Sequence, residues 1–148
     1  DKPVTKQLTC PRLGPGTTNA GERALAIAAR SGQVETVRLL LKQSRADPNA
    51  TDNTGRTALL VTCLMSYVMV EVVRLLLEAG ADPTLADKDG YSPLHFVALK
   101  GHTNLVDMLY SRAPAALNRF TIHGVTPLFM ACGNGHESTV SKLLSLGA

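Results

Sequence analysis

The fold is decided by one stretch in the second half of the chain, Gly90-Tyr91-Ser92-Pro93-Leu94-His95-Phe96-Val97-Ala98-Leu99-Lys100-Gly101-His102. A hydroxyl residue followed by proline, as in Ser92-Pro93, is typical of a helix start, because Ser can cap free N–H groups and Pro is tolerated at the first helical position. The small and apolar residues that follow predict a narrow packing face. Gly101 stands where that helix has to end in a left-handed conformation. The stretch therefore predicts a short helix followed by a chain reversal.

The same phrase returns along the whole chain. Its opening glycines are Gly21, Gly55, Gly90 and Gly124, at intervals of 34, 35 and 34 residues. A second phrase, Val-Arg-Leu-Leu-Leu, occurs at 37–41 and 73–77 and predicts the apolar stripe of a second helix. A third phrase, Ala-Asp-Pro, recurs and breaks that helix. Each unit is thus predicted to be a helix, a turn, a second helix and a projecting loop.

This pattern resembles the ankyrin repeat family, whose period is about 33 residues and whose signature is Thr-Pro-Leu-His-x-Ala. The resemblance covers residues 18–148, after an irregular leader or linker at 1–17. It comprises four tandem repeats, at about 18–51, 52–86, 87–120 and 121–148, the last of them truncated. It implies an all-α solenoid of helix-turn-helix units with projecting β-hairpin-like loops. Two extra residues within 64–72 of repeat two are interpreted either as an apolar bulge for a partner or as a helix extension that covers the adjacent repeat.

Composition narrows the possible functions. Of 148 residues 45% are hydrophobic, and the net charge of +3 gives little support for nucleic-acid or membrane binding. No run approaches the ~18 uncharged apolar residues of a membrane span. The cysteines Cys10, Cys63 and Cys132 are far apart, which favours free thiols in a reducing compartment, cytoplasmic or nuclear.

The titratable residues give no catalytic or metal-binding constellation. The resemblance places His95 in the signature and places His102 and His136 directly after a turn glycine, where all three have structural roles. No two histidines have the spacing of metal ligands on one helix. Cys63 and Cys132 replace a small helix-packing residue and are predicted to fill the core. We therefore expect no enzymatic activity, no metal and no cofactor.

Positions that the repeat leaves free are the informative ones, because the resemblance implies that they line one concave surface. Their charge is mostly positive, and apolar and aromatic side chains lie beside it, which is typical of an interface. The alternative, that each is half-buried against a neighbouring repeat or simply solvated, stays open at this stage. The candidate partner-binding residues are Arg30, Arg56, Leu64, Met65, Lys88, Tyr91, Leu99, Lys100, Phe120, Ile122 and His123.

Asn49 is a candidate for modification, again by resemblance. Leu41 and Asp47 stand at the distances that the family's asparaginyl hydroxylase prefers. A purely structural role for Asn49 in the turn is the alternative.

The sequence as a whole predicts a non-catalytic protein–protein interaction module that acts as a monomer. Its expected partner is a protein or peptide with acidic and apolar residues, contacted centrally by Arg56, Lys88 and Tyr91. The second hypothesis is a structural spacer or targeting arm within a larger enzyme, channel or ubiquitin-ligase adaptor.

Overall fold

Four consecutive helix pairs make up the structure, a computed structural model that describes residues 20–44 and 46–148. The helices are α1 (Ala20–Arg30), α2 (Val34–Gln43), α3 (Ala58–Leu64), α4 (Val70–Glu78), α5 (Pro93–Lys100), α6 (Thr103–Arg112), α7 (Pro127–Gly133) and α8 (Glu137–Ser145). A short 3₁₀ helix, Pro114–Ala116, follows α6. Within these two ranges the structure contains no strand. The expected all-α solenoid is confirmed.

The helices form two layers. The first helices of the repeats, α1, α3, α5 and α7, lie side by side as an inner layer, and each packs against the second helix of its own repeat. The apolar face between them is built from leucine, valine and alanine, and Leu59, Val73, Leu94, Val106 and Leu143 are all fully buried there. Among the described residues, Phe96 is the one Phe or Tyr side chain in this buried set.

The helix starts follow from their capping residues. The Thr57 hydroxyl accepts a hydrogen bond from the Leu60 N–H at 3.2 Å, and the Thr126 hydroxyl accepts one from the Phe129 N–H at 3.2 Å. The turn after α5 contains Gly101 with a φ of +74°, a left-handed conformation that side chains with a Cβ rarely adopt. These caps and turns agree with the expectation from the sequence.

The turns of successive repeats are joined by histidines. His102 Nε2–H donates to the Met65 carbonyl at 2.9 Å, and His136 Nε2–H donates to the Leu99 carbonyl at 2.8 Å. Both histidines immediately precede the second helix of their repeat. In repeat two that position is Met69, whose side chain packs over Gly32 and has no N–H to donate.

Two expectations from the sequence are wrong. The segment 65–69 is not a helix extension, because α3 ends at Leu64 and the segment has no helical structure. Cys132 is exposed rather than in the core, although Cys63 at the same register is fully buried. The reason is positional: α5 packs against α3, whereas the described chain contains no further inner helix beyond α7.

Candidate protein-binding surface

The projecting loops are hydrogen bonded to one another and form one continuous row. We define the loop row as residues 52–56, 87–91 and 121–125. The Lys88 N–H donates to the Thr54 carbonyl at 3.1 Å, and the Ile122 N–H donates to the Asp89 carbonyl at 3.0 Å. Bonds between backbone groups fix the spacing of neighbouring loops whatever their side chains are. The row is therefore a pre-organised platform for variable residues.

Each loop is organised by one polar side chain at its start. Asp52 Oδ1 accepts the Thr54 hydroxyl at 2.6 Å and the Arg56 N–H at 3.0 Å. Burial would raise the pKa of the Asp52 carboxyl, but these hydrogen bonds outweigh it and hold the pKa below its ordinary value. Asp87 and Thr121 occupy the same place in the next two loops and accept equivalent backbone N–H bonds. These residues were not predicted from the sequence, although their spacing of 35 and 34 residues follows the repeat.

Two of the central candidates, Arg56 and Tyr91, are anchored within the protein. Arg56 Nε lies 3.6 Å from the buried Asp87 Oδ2, and the Arg56 guanidinium carbon lies 6.0 Å from the centre of the Phe96 ring. The Tyr91 ring centre lies 5.7 Å from that of Phe96 and 5.8 Å from that of His95. Both candidates are half-buried. They form the base of the loop row. Because part of each side chain contacts other residues of the protein, only the rest of it is accessible to a partner.

Four other candidates project freely from or beside the loop row. Phe120 and Ile122 are 67% and 68% exposed, and Phe129 of α7 is exposed to the same extent, 68%. Lys88 and His123 are exposed beside them. In the described part of the chain, Lys88 forms no ion pair. These four residues combine apolar surface with the Lys88 ammonium, and the carboxylate of Asp89 is exposed in the same loop.

The remaining candidates lie at the opposite end of the inner helices. Arg30 is exposed at the end of α1, and Met65 follows the end of α3. Leu64, Leu99 and Lys100 are half-buried at the ends of their helices. An inner helix of seven or eight residues is about 10–12 Å long. The predicted residues are therefore not one contiguous group but two groups at the two ends of the inner helices.

The residues on the inner helices between those two ends were not among the contact residues predicted from the sequence. Ile27, Val61, Phe96 and Met130 each lie six positions after the opening glycine of their repeat, so they share one register on the inner helices. Ile27 is 49% exposed, and Val61 and Met130 are half-buried. The sequence does indicate them, because they occupy the variable position x of the Thr-Pro-Leu-His-x-Ala signature. That position is apolar in every repeat.

The reactive side chains have structural surroundings. His95 Nε2–H donates to the Val125 carbonyl at 3.0 Å, while Nδ1 accepts the Ser92 N–H at 3.1 Å. Burial lowers the pKa of His95 and raises the pKa of the Cys63 thiol to about 12, so both groups are neutral near pH 7.

No group of three or more His, Cys, Asp or Glu side chains that could hold a metal ion occurs in 20–44 or 46–148. Nor does any helix in these ranges have the length and hydropathy of a membrane span.

Asn49 has a structural role in the turn before repeat two. Its side-chain oxygen accepts the Asp82 N–H at 2.7 Å, and its amide donates to the Gly80 carbonyl at 3.0 Å. The side chain thereby joins the ends of two successive repeats. Its hydroxylation stays a prediction.

The leader at 1–17, with Cys10, lies outside the described residues.

Stacked helix pairs with a hydrogen-bonded row of loops define a class of non-globular repeat scaffolds. A family model described as "Ankyrin repeats (3 copies)" matches residues 1–87 and 64–148. The chain belongs to the ankyrin repeat family, whose members generally mediate protein–protein interactions.

Proteins of different overall length share this similarity. Cyclin-dependent kinase 4 inhibitor B from Mus musculus is 39% identical over 86% of this chain and 93% of its own length. Ankyrin repeat domain-containing protein 63 from Homo sapiens is 36% identical over 72% of this chain, a match that spans 28% of that protein. The probable E3 ubiquitin-protein ligase XBOS32 from Oryza sativa subsp. japonica is 34% identical over 93% of this chain and 34% of its own length.

Proposed function

We propose that this protein is a non-catalytic protein-interaction module whose loop row binds a protein or peptide with apolar and acidic groups. One observation carries the proposal: Phe120 and Ile122, adjoining and on the loop row, are each about two-thirds exposed. Large apolar side chains exposed side by side mark interaction sites more often than ordinary surface. Thr121, between them, is buried and organises the loop, so the two apolar groups are held in place.

The charge beside these residues defines the partner further. Lys88 and His123 are exposed next to the apolar pair, and Arg56 lies at the base of the same row. The Lys88 ammonium beside an apolar centre favours a partner that places an acidic group next to an apolar anchor. The carboxylates of Asp52 and Asp89, exposed in the same row, disfavour a strongly acidic partner. Because the loops are fixed by backbone hydrogen bonds, the surface loses little conformational entropy when it binds. One relative is named as a kinase inhibitor, which is in keeping with action through binding.

The module acts as a monomer in the cytoplasm or nucleus, where free thiols such as Cys63 persist. Its surface is not directed at nucleic acid or membrane, since a net charge of +3 is small for either role. The function proposed for this module involves no catalytic step.

The experiment compares two charge-reversed double variants as baits for proteins in a cell lysate. Lys88→Glu with Ile122→Ser changes the loop row. Lys42→Glu with Leu39→Ser makes the same chemical changes on exposed positions of α2, on the outer layer. Mass spectrometry should find proteins that the wild type and the α2 variant retain and that the loop-row variant loses. Equal retention by all three baits would contradict the proposal.

A second function has its own support in the comparisons. The chain spans only about a quarter to a third of two of its relatives, including the probable ubiquitin ligase. We propose as the alternative that the repeats are a spacer or targeting arm within a larger enzyme, channel or ubiquitin-ligase adaptor. The full-length transcript of the parent gene decides this, because the alternative requires a catalytic, membrane or adaptor segment in the same open reading frame.

A further inference from the structure

Repeat two contains a departure from the repeat that no other described repeat shares. In repeats one, three and four, the buried or half-buried valine of the second helix lies five residues after the turn glycine, as in Gly101 and Val106. In repeat two, Val73 lies seven residues after Ser66, so two additional residues are accommodated between α3 and α4. The additional length is carried by the non-helical segment 65–69.

This segment forms one wall of a cleft, and its two ends are fixed. At one end the Met65 carbonyl accepts the hydrogen bond from His102 of the next repeat at 2.9 Å. At the other end Met69 packs over Gly32 so closely that an added Cβ would lie 2.9 Å from Met69 Cγ. Tyr67, between these fixed ends, is 80% exposed. The segment is therefore held as a wall and presents a free aromatic ring at its rim.

The end of α1 forms the opposite wall. Arg30 is exposed there, and in the described part of the chain it takes part in no ion pair. No Asp or Glu is among the residues that line the cleft. The cleft is open to solvent on one side, and its volume of about 490 Å³ is within the range of ~300–1,000 Å³ for ligand pockets.

We propose that this turn-end cleft, bounded by Arg30, Met65, Tyr67 and Met69, is a second docking site that binds a peptide segment carrying an apolar side chain next to a single carboxylate. The Arg30 guanidinium supplies paired donors for a carboxylate. The two thioether side chains add apolar surface to the wall, and the exposed tyrosine ring offers a large contact area at its rim. This site lies at the opposite end of the inner helices from the loop row.

Charge distinguishes a carboxylate from a phosphate as the acidic group. Arg30 is the single cationic residue of the lining, so it matches one negative charge and leaves a dianion half-compensated. The cleft also adjoins the C-terminal end of α1, where the helix dipole carries partial negative charge. The dipole opposes any anion and opposes a dianion more, so the attraction comes from Arg30 alone and favours a monoanionic side chain, Asp or Glu, over a phosphate.

The test maps weak binding directly with a defined probe. The probe is the acetylated and amidated peptide Leu-Phe-Glu-Leu, titrated into isotope-labelled protein while backbone amide NMR signals are recorded. The expected result is saturable shifts confined to residues 29–32 and 62–69. The peptide with Gln in place of Glu should bind at least about fivefold more weakly, since the Arg30–carboxylate pair is lost.

Two variants and a matched control complete the experiment. Arg30→Gln and Tyr67→Ala are each expected to weaken the probe at least about fivefold. Lys42→Gln removes an exposed charge from the last turn of α2, on the outer layer, and should leave the affinity unchanged. Thermal melts check that all three variants fold. Absence of shifts at the cleft, equal binding of the Gln peptide, or shifts confined to the loop row would each overturn the proposal.

Discussion

Replacement of His95 by leucine tests how much one buried imidazole contributes to this repeat. Leucine is the residue that repeat two carries at the same register, as Leu60, so the change is compatible with the helix. His95 is fully buried and joins two repeats, because Nδ1 accepts the Ser92 N–H and Nε2–H donates to the Val125 carbonyl. The substitution removes both bonds and also the 2.8 Å hydrogen bond between the Ser92 hydroxyl and Nδ1, although that hydroxyl keeps the backbone N–H of residue 95 as a partner.

The size of the effect follows from those two bonds. The Ser92 N–H becomes a buried donor without its acceptor, which costs about 1–3 kcal/mol. The Val125 carbonyl keeps its bond from the Thr121 N–H, so the second loss is that of one ordinary hydrogen bond, about 0.5–1.5 kcal/mol. Burial of a leucine side chain is more favourable than burial of an imidazole, which offsets about 1–2 kcal/mol of this loss. At the mid-values of these ranges, the free energy of unfolding should fall by about 1.5 kcal/mol near pH 7.5.

The pH dependence gives a second, independent readout. Burial lowers the pKa of His95 in the fold, whereas in the unfolded chain it titrates near its ordinary value of ~6.5. Below pH ~6.5 the unfolded state binds the proton more readily, so the contribution of His95 to stability is complete above that pH and is lost as pH falls towards the folded pKa. The slope from this one group is at most about 1.4 kcal/mol per pH unit.

Urea unfolding followed by circular dichroism at about pH 7.5 and about pH 5.5 measures both effects. The difference between wild type and His95→Leu should shrink at the lower pH, because only the wild type loses the histidine contribution. His123→Gln is the control, and as an exposed loop substitution it should change stability by less than about 0.5 kcal/mol at either pH. A difference that is constant with pH, or no loss of stability at about pH 7.5, would refute the reasoning.

Two further predictions concern thiols and turns. In a Cys10→Ser background, a thiol reagent should label Cys132 in the native protein but Cys63 only after unfolding. The reason is that Cys63 is fully buried and its pKa is raised to about 12. Mass spectrometry of the labelled peptides measures this, and native labelling of Cys63 would contradict it. Gly101→Ala should cost more stability than Gly80→Ala in thermal melts. Both glycines have positive φ, at +74° and +94°, but a Cβ at Gly101 would also lie 2.6 Å from His136 Nδ1, whereas none of the atoms described lies within 4 Å at Gly80. Equal losses would show that backbone strain alone determines the effect.

Much of the fold could be predicted from local sequence, because its determinants lie within a few residues of where they act. Thr57 and Thr126 accept the capping bonds, and Gly101 has the left-handed conformation that the helix end demands. The histidine of the signature bonds to its neighbours as the resemblance implied. Capping and turn chemistry depend on residue type and register, and both are visible in the sequence.

The candidate site was less predictable, because burial depends on which element lies alongside. Cys63 and Cys132 share one register, and only the neighbouring inner helix makes one buried and the other exposed. Arg56 was taken for a free contact residue, but Asp87 of the next loop lies 3.6 Å from it. A contact across 31 residues depends on the stacking of repeats, which the sequence of either repeat does not specify.

The replacement of a turn histidine by Met69 has a consequence for how the solenoid comes apart. In a linear array, stability is a sum of unit terms and nearest-neighbour interface terms, so the array opens where an interface term is smallest. Repeats two and three, and repeats three and four, are linked by a bond from a turn histidine to the preceding turn, whereas Met69 cannot form that bond with repeat one. The first helix pair is therefore linked to its neighbour without a turn histidine, and the Arg38–Glu71 ion pair at 3.9 Å joins α2 to α4 instead. Because a surface ion pair is screened by salt, amide hydrogens of α1 and α2 should exchange with solvent faster at high ionic strength, whereas those of α5 and α6 should not. The segment that opens the cleft beside Arg30 thus also replaces a hydrogen-bonded link between repeats by a salt-dependent one.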